Sequence, residues 1–200
     1  MPIPIPTKNM SLYNQSGERL YLNPSERERF ISVATMMLPP LHSSLCLMLA
    51  HTGCRISEAR NLKKWDIQGE EQLVSIYTLK RRRAHVIREV PIPRSFVQIL
   101  ESVHFNALSP PGEYLWSTTS RPPPRSTVYR WVKEAMQLAN IHGPQACPKG
   151  LRHGFGVHAT RSGVQLHMTQ KWMGHASIET TAIYATALGP EELEIAERMW

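Results

Sequence analysis

Four short segments of this chain concentrate side chains suited to phosphoryl chemistry. They are Thr52-Gly53-Cys54-Arg55-Ile56-Ser57-Glu58, the basic run Lys80-Arg81-Arg82-Arg83, Lys149-Gly150-Leu151-Arg152-His153, and Gly174-His175 followed nine residues later by Tyr184. Arginine presents a planar fork of donors that fits two non-bridging phosphate oxygens. A phosphodiester under attack gathers negative charge on those oxygens, and cations held in place stabilise that charge as it develops. A tyrosine hydroxyl can attack phosphorus and leave a covalent phosphotyrosine, which conserves the bond energy for religation. A lysine can protonate the departing alkoxide. Each segment also has an ordinary reading. Arg55 and Glu58, at i,i+3, suit a surface ion pair; the basic run suits a solvated or localisation tract; His175 suits a helix C-cap and Tyr184 a core or surface aromatic. Their combination, without the clustered carboxylates that would hold Mg²⁺ beside a phosphate, points to phosphoryl transfer without metal or cofactor.

The elements that must position these residues are mostly helical. Asn23-Pro24-Ser25-Glu26 reads as a helix start, with a capping Asn, Pro at the first helical position and Glu three after the cap. That helix should run to about Met37 and stop before Pro39-Pro40. A second helix over 41–52 ends near Gly53, and a short third covers 55–62. The runs 73–79 and 86–92 alternate as strands around the basic tip, and Trp65-Asp66-Ile67 is a candidate third strand. Helical pattern resumes after Pro93 to about Val103. A short strand is expected at Tyr114-Leu115-Trp116, then helices at 126–140, 149–161, 165–173, 177–187 and 190–199. The expected class is α+β: a mainly helical domain over 23–187 with a small antiparallel sheet. It is preceded by an extended arm over 1–22, whose prolines alternate at 2–6, and followed by a C-terminal helix in 188–200.

Composition narrows the partner. The chain has 200 residues, 42% of them hydrophobic, with 23 Lys+Arg against 16 acidic residues and a net charge of +7. Four glutamates fall in 185–200, so the remainder is more basic still, which favours a polyanion such as nucleic acid. The most apolar stretch, Ile31 to Ala50, is broken by Pro39-Pro40 and holds His42, Ser43 and Ser44, so it does not read as a membrane span. The start, Met1-Pro2-Ile3-Pro4-Ile5-Pro6, has no basic leader or apolar signal core, and three cysteines without CxxC spacing make a disulfide framework improbable. A cytoplasmic, nucleoid-associated location is the expectation. No pair among His142, Cys147, His153 and His158 has a recognised zinc spacing, so no metal is expected.

These segments together resemble the tyrosine recombinases, or phage-type integrases, over roughly residues 25–190. Thr52 to Glu58 is similar to the family's first-arginine box, T-G-x-R-x-x-E. The strand pair ending Val90-Pro91-Ile92-Pro93 resembles its lysine-bearing hairpin, and Leu151-Arg152-His153 the core of its second-arginine box. Met173-Gly174-His175 with Ile178-Glu179-Thr180-Thr181-Ala182-Ile183-Tyr184 is similar to L-G-H-x-x-I-x-T-T-x-x-Y. The spacing of 23 residues from Arg152 to His175 is that of the family.

The resemblance implies a site-specific recombinase that cuts and rejoins duplex DNA through a 3′-phosphotyrosine. Tyr184 would be the nucleophile, Arg55 and Arg152 the clamp on the non-bridging oxygens, His175 a further donor to them, and Lys80 the general acid. Glu58 and His153 would orient the cations. Lys149 replaces the histidine common in recombinases, as in type IB topoisomerases; with an ordinary pKa of about 10.4 it suits a phosphate or water contact rather than a general base. Arg81, Arg82 and Arg83 at the hairpin tip, and Arg121 and Arg125 in a proline-rich loop, are expected on DNA. The short form resembles the fimbrial-switch invertases. With no room for an N-terminal clamp, a tetramer on DNA, monomeric in solution, and an accessory DNA-binding protein are expected. Two alternatives remain at this point: a topoisomerase-like nicking-closing enzyme, and a DNA-binding regulator without catalysis.

Overall fold

Asn23 caps helix α1 (Pro24–Met36) as its place before Pro24 predicts. Its side chain accepts from the Glu26 amide while the Glu26 carboxylate accepts from the Asn23 amide. Helix α2 (Pro40–Thr52) starts on the second of the two prolines that end α1. It is apolar around most of its circumference, every residue from Ser43 to Ala50 is buried, and α1, α4 (Arg94–His104), α5 (Arg125–Leu138) and α6 (Pro148–Arg161) pack around it. This is the axis of the domain. The computed structural model describes residues 11–78, 86–105, 113–185 and 196–199.

The sheet has three strands, β1 (Ile67–Gln68), β2 (Leu73–Tyr77) and β3 (Ile87–Pro91), antiparallel in that order. Val74 pairs with Val90 and Ile76 with Arg88, so the inward face carries Val74, Ile76, Val90 and one buried arginine. Helix α3 (Ile56–Ala59) is a single turn after α2; α7 (Leu166–Met173) and α8 (Glu179–Ala182) close the described body. Most of the core is one cluster around α2. A second, smaller cluster gathers Leu12, Tyr21, Phe155, Val157, Met173 and Tyr184.

Four expectations differ. Residues 11–22 do not extend as an arm: Tyr13 bridges Arg19 across a turn, and Leu12 and Leu22 are buried, the Leu22 amide donating to the Gly150 carbonyl at 3.2 Å. The strand expected at Trp65-Asp66-Ile67 begins only at Ile67. The Asp66 carboxylate accepts from the Lys63 amide at 2.8 Å and winds Lys64–Asp66 into a 3₁₀ turn. Tyr114 to Trp116 makes a single bridge, Tyr114 to Lys63, because Trp116 turns into the core, its indole donating to Ser44. Of the helix expected at 177–187, the described residues 177–185 form α8 and a tight turn in which the Tyr184 amide donates to the Thr181 carbonyl. Of the C-terminal helix, the described part is helical Ala196 and a 3₁₀ turn at Glu197–Met199. Lys80 and Arg81 to Arg83 lie outside the described residues.

The end of α2 is where fold and chemistry meet. Gly53 sits at φ +59°, the left-handed region, and a Cβ there would lie 2.4 Å from the Phe155 ring. Gly53→Ala is therefore expected to destabilise the protein by about 2–4 kcal/mol, the sum of backbone strain and a steric clash. Urea denaturation measures this, and a loss under about 0.5 kcal/mol would show that the turn relaxes freely.

Candidate active site

The left-handed Gly53 turns the chain out of α2 so that Arg55 stands at the N-terminus of α3 in extended conformation. Glu58, one turn on, folds back over it. One carboxylate oxygen accepts from the Arg55 amide at 2.9 Å and the other from the Arg55 guanidinium at 2.8 Å. The Glu58 side chain is 0% exposed and that of Arg55 23%. Burial pushes the Glu58 carboxyl up, but the Arg88 charge, the Arg55 amide and the Arg55 charge outweigh it and hold it below the ordinary value.

Arg152, on α6, reaches between two turns. It donates to the Gly53 carbonyl at 2.6 Å and to the Met173 carbonyl at 2.7 Å. Burial, then the Arg55 charge, push it down to about 10. Two of its five donors are thus spent on the backbone of the turns that carry Arg55 and His175.

His175 follows α7, which ends on left-handed Gly174. Its Nδ1 lies 2.9 Å from the Thr181 hydroxyl, and its buried Nε2 has no hydrogen-bond partner among the described residues. Burial, followed by the Arg152 and Arg55 charges, pushes its pKa down to about 3, so the imidazole is neutral at physiological pH.

Tyr184 is fully buried. Its ring is stacked on His175 with 6.1 Å between centroids, and its hydroxyl lies 3.1 Å from His153 Nδ1. The ring occupies the space over Gly156, where a Cβ would come within 2.5 Å of it. Burial pushes the phenol up to about 12 against the pull of Arg152 and Arg55. The hydroxyl is protonated, and the two arginines act on it electrostatically.

Arg55, Arg152, His175 and Tyr184 are therefore brought together, with Glu58 holding Arg55. His153 is placed differently from expectation: its partner is the Tyr184 hydroxyl rather than a cation. Burial, then the Lys149 and Arg152 charges, push it down to about 4. Lys149 stands exposed on the first turn of α6, four residues before it. Arg121 and Arg125 are exposed on the proline-rich loop and at the start of α5, and no described contact ties them to the cluster. No group of three or more His, Cys, Asp or Glu among the described residues could hold a metal ion.

Three residues of the site were not foreseen. Arg88 on β3 has a side chain 3% exposed and donates to Glu58 at 2.6 Å. The signal was present: it lies two residues before Val90, on the inward face of an alternating strand. Thr181 and Gly156, which flank the imidazole and the phenol, stood within the segments considered but gave no local sign of their contacts.

A model of the phage integrase family matches residues 21–189, and the chain belongs to that family, of which it carries the tyrosine recombinase catalytic domain. It is similar to a tyrosine recombinase of Thermosipho africanus, 30% identical over 152 residues, which cover 76% of this chain and 52% of the relative. It is likewise similar to the tyrosine recombinase XerA of Pyrococcus furiosus, 30% identical over 158 residues, covering 77% and 53%. The chain thus spans about half the length of the curated relatives it matches. Among solved structures, XerA recombinase superimposes with a TM-score of 0.76 at 26% identity, covering 90% of this chain and 64% of that one. The catalytic domain of bacteriophage HP1 integrase has the same fold, with a TM-score of 0.64 at 22% identity, over 90% and 95%.

Four histidines, three buried and His51 half-buried, make stability pH-dependent. His51, His104, His153 and His175 have native values of about 4, 4, 4 and 3 against an ordinary 6.5. Below 6.5 the unfolded chain takes up protons that the native site refuses, so their contribution is complete above pH 6.5 and is lost as pH falls toward 4. The urea midpoint should fall over that window, with a slope of up to about 1.4 kcal/mol per pH unit for each histidine. His175→Asn should make the fall shallower by one histidine's share, the other three remaining; a midpoint constant from pH 7 to 4 would contradict the neutral assignment.

Proposed function

We propose that this chain is a site-specific DNA recombinase that cleaves and rejoins duplex DNA through a 3′-phosphotyrosine on Tyr184, without metal or cofactor. The observation that carries the reading is the convergence of Arg55, Arg152 and His175 around the Tyr184 ring. Membership of the family supports it, as do relatives and structures that bear the name recombinase. A XerH recombinase with this fold was solved on its palindromic difH substrate, with a TM-score of 0.73 at 22% identity, covering 94% of this chain and 56% of that one.

In this reading the phosphodiester binds against Arg55 and Arg152, whose unspent donors take its non-bridging oxygens, and His175 Nε2 donates to one of them. Tyr184 swings off Gly156, losing its His153 contact; its oxygen attacks phosphorus as its hydroxyl proton passes to water. The bond to the 5′-oxygen breaks, and Lys80 supplies the proton that makes it a free hydroxyl. Lys149 meets phosphate or water at the edge of the site. Arg81, Arg82, Arg83, Arg121 and Arg125 contact the DNA backbone, so binding weakens steeply with salt. Each chain carries one nucleophile and exchange between two duplexes cuts four strands, so the working form is a homotetramer on DNA, with an accessory DNA-binding protein as a further partner and the nucleoid as its location. No helix of the described residues is long and apolar enough to cross a membrane.

The test is covalent trapping. Nicked suicide duplexes with a randomised core are incubated with the chain, and the protein–DNA adduct is recovered and sequenced. Adduct from wild type and none from Tyr184→Phe is expected, with the variant's stability lowered by about 1–3 kcal/mol because buried His153 Nδ1 loses its partner. No adduct would favour a DNA-binding regulator; an adduct without recombination between two selected sites would favour the nicking-closing alternative.

The segment Pro190 to Trp200 has an acidic start and apolar residues at Leu193, Ala196 and Met199 or Trp200, the pattern of a helix that docks by one face. Its dock is a neighbouring copy. Deleting 188–200 should abolish the tetrameric synapse and spare cleavage at a single site; gel filtration of the DNA complex reads the first, and tetramers from the truncated chain would refute the docking.

A further inference from the structure

Arg88 does not reach the Tyr184 pocket, yet it touches the elements that build it. Its Nη2 donates to Glu58 Oε2 at 2.6 Å, its Nη1 to the Thr78 hydroxyl at 2.9 Å, and its Nε to the Trp172 carbonyl at 2.7 Å. One guanidinium thus joins the Arg55 box, the end of β2 and the C-terminal turn of α7. Gly174, next to His175, lies flat against it, with its Cβ position 3.0 Å from the guanidinium carbon.

The charges make this more than bracing. Glu58 is buried and divides its carboxylate, Oε1 to the Arg55 guanidinium and Oε2 to that of Arg88. With Arg55 alone, Glu58 would form a net-neutral pair, and Arg55 would pull on a phosphate only as one end of a dipole. With Arg88 present the group of three carries one net positive charge. Arg88 itself is 3% exposed and Arg55 23%, so that charge is available to a ligand at Arg55. The Trp172 carbonyl bond meanwhile fixes the last turn of α7, three residues before His175.

Resting on the recombinase reading, we propose that Arg88 is a positioning residue for phosphoryl transfer. It shares the Glu58 carboxylate so that Arg55 keeps a net positive charge for the scissile phosphate, and it anchors the turn that presents His175. It does not touch DNA, so it acts on the cleavage step and not on binding.

The experiment uses the full chain and a duplex selected in the trapping assay, in two forms: one with an ordinary scissile phosphate, one with a methylphosphonate there, whose non-bridging oxygen is replaced by an uncharged methyl. Arg88→Gln should lower the single-turnover cleavage rate about thirtyfold to a hundredfold on the phosphate, with affinity changed less than about threefold. On the neutral substrate the loss should shrink to about fivefold, because less charge develops for Arg55 to meet. Arg88→Lys, which keeps the charge beside Glu58, should cleave within about tenfold of wild type and carries the test if the Gln variant does not fold. Equal losses on the two substrates, a rate unchanged by Arg88→Gln, or abolition of cleavage by Arg88→Lys in a folded protein would each overturn the assignment. Wild type measured alongside separates the two readings: adduct from wild type with normal Arg88→Gln sinks this inference alone, and no adduct from wild type sinks the recombinase reading with it.

Discussion

Three guanidinium groups, those of Arg55, Arg88 and Arg152, are gathered around the carboxylate of Glu58, and their mutual repulsion governs how the site is built. Repulsion of this kind in a partly desolvated place costs several kcal/mol unless each charge finds oxygen. The protein supplies that oxygen from three main-chain carbonyls as well as from Glu58: Gly53 and Met173 to Arg152, Trp172 to Arg88. Those carbonyls stand at the ends of α2 and α7, where helices leave acceptors unsatisfied, and both helices end on a left-handed glycine that turns the chain away. Gly53 and Gly174 therefore do two things at once. They stop the helices, and they present the C-terminal carbonyls to buried cations, which is also where the helix dipole is negative.

The same arrangement explains how the chemistry-bearing segments, far apart in sequence, are held to one place. Arg152 spans the Gly53 and Gly174 turns, and Arg88 spans the Glu58 helix and the α7 turn. A hydrophobic core alone would fix these elements less sharply, because apolar contacts are non-directional. The apolar core around α2 sets the general placement, and the charged contacts set the register of the turns upon it.

Much of this was legible in the sequence, and for local reasons. The Asn23 cap, the prolines before α2, the glycine after it and the two-residue alternation of β2 and β3 each act within a few residues, so pattern suffices to read them. The first-arginine box is similarly local, since Glu58 caps the very turn that carries Arg55. What pattern did not reveal depends on distant pairing. Arg88 meets Trp172 across 84 positions. The capture of Tyr13 to Leu22 by α6 requires Gly154 to leave room for Leu22 and the Gly150 carbonyl to accept from its amide, which neither segment discloses alone. Asp66 and Trp116 each exchanged strand pairing for a side-chain contact, one with a backbone amide and one with Ser44, a competition that β-propensity does not weigh.

The sequence allows Tyr184 to be a nucleophile or a core aromatic, and the structure shows a core aromatic placed beside two arginines. Its ring is part of the second apolar cluster, and bringing it out to phosphate forfeits about 1.5–3 kcal/mol of burial together with the His153 hydrogen bond. The compensation has to come from the ligand, and the site is built to receive it. In the proposed reaction a bound phosphate would relieve the repulsion between Arg55 and Arg152, satisfy the buried Nε2 of His175, and add charge-assisted bonds of about 1.5–3 kcal/mol each. Without phosphate the phenol is protonated and packed in the core; with phosphate the balance shifts toward release. In the proposed reaction a nucleophile kept this way would attack only where two arginines are already engaged, which would confine cleavage to the backbone position the protein has bound.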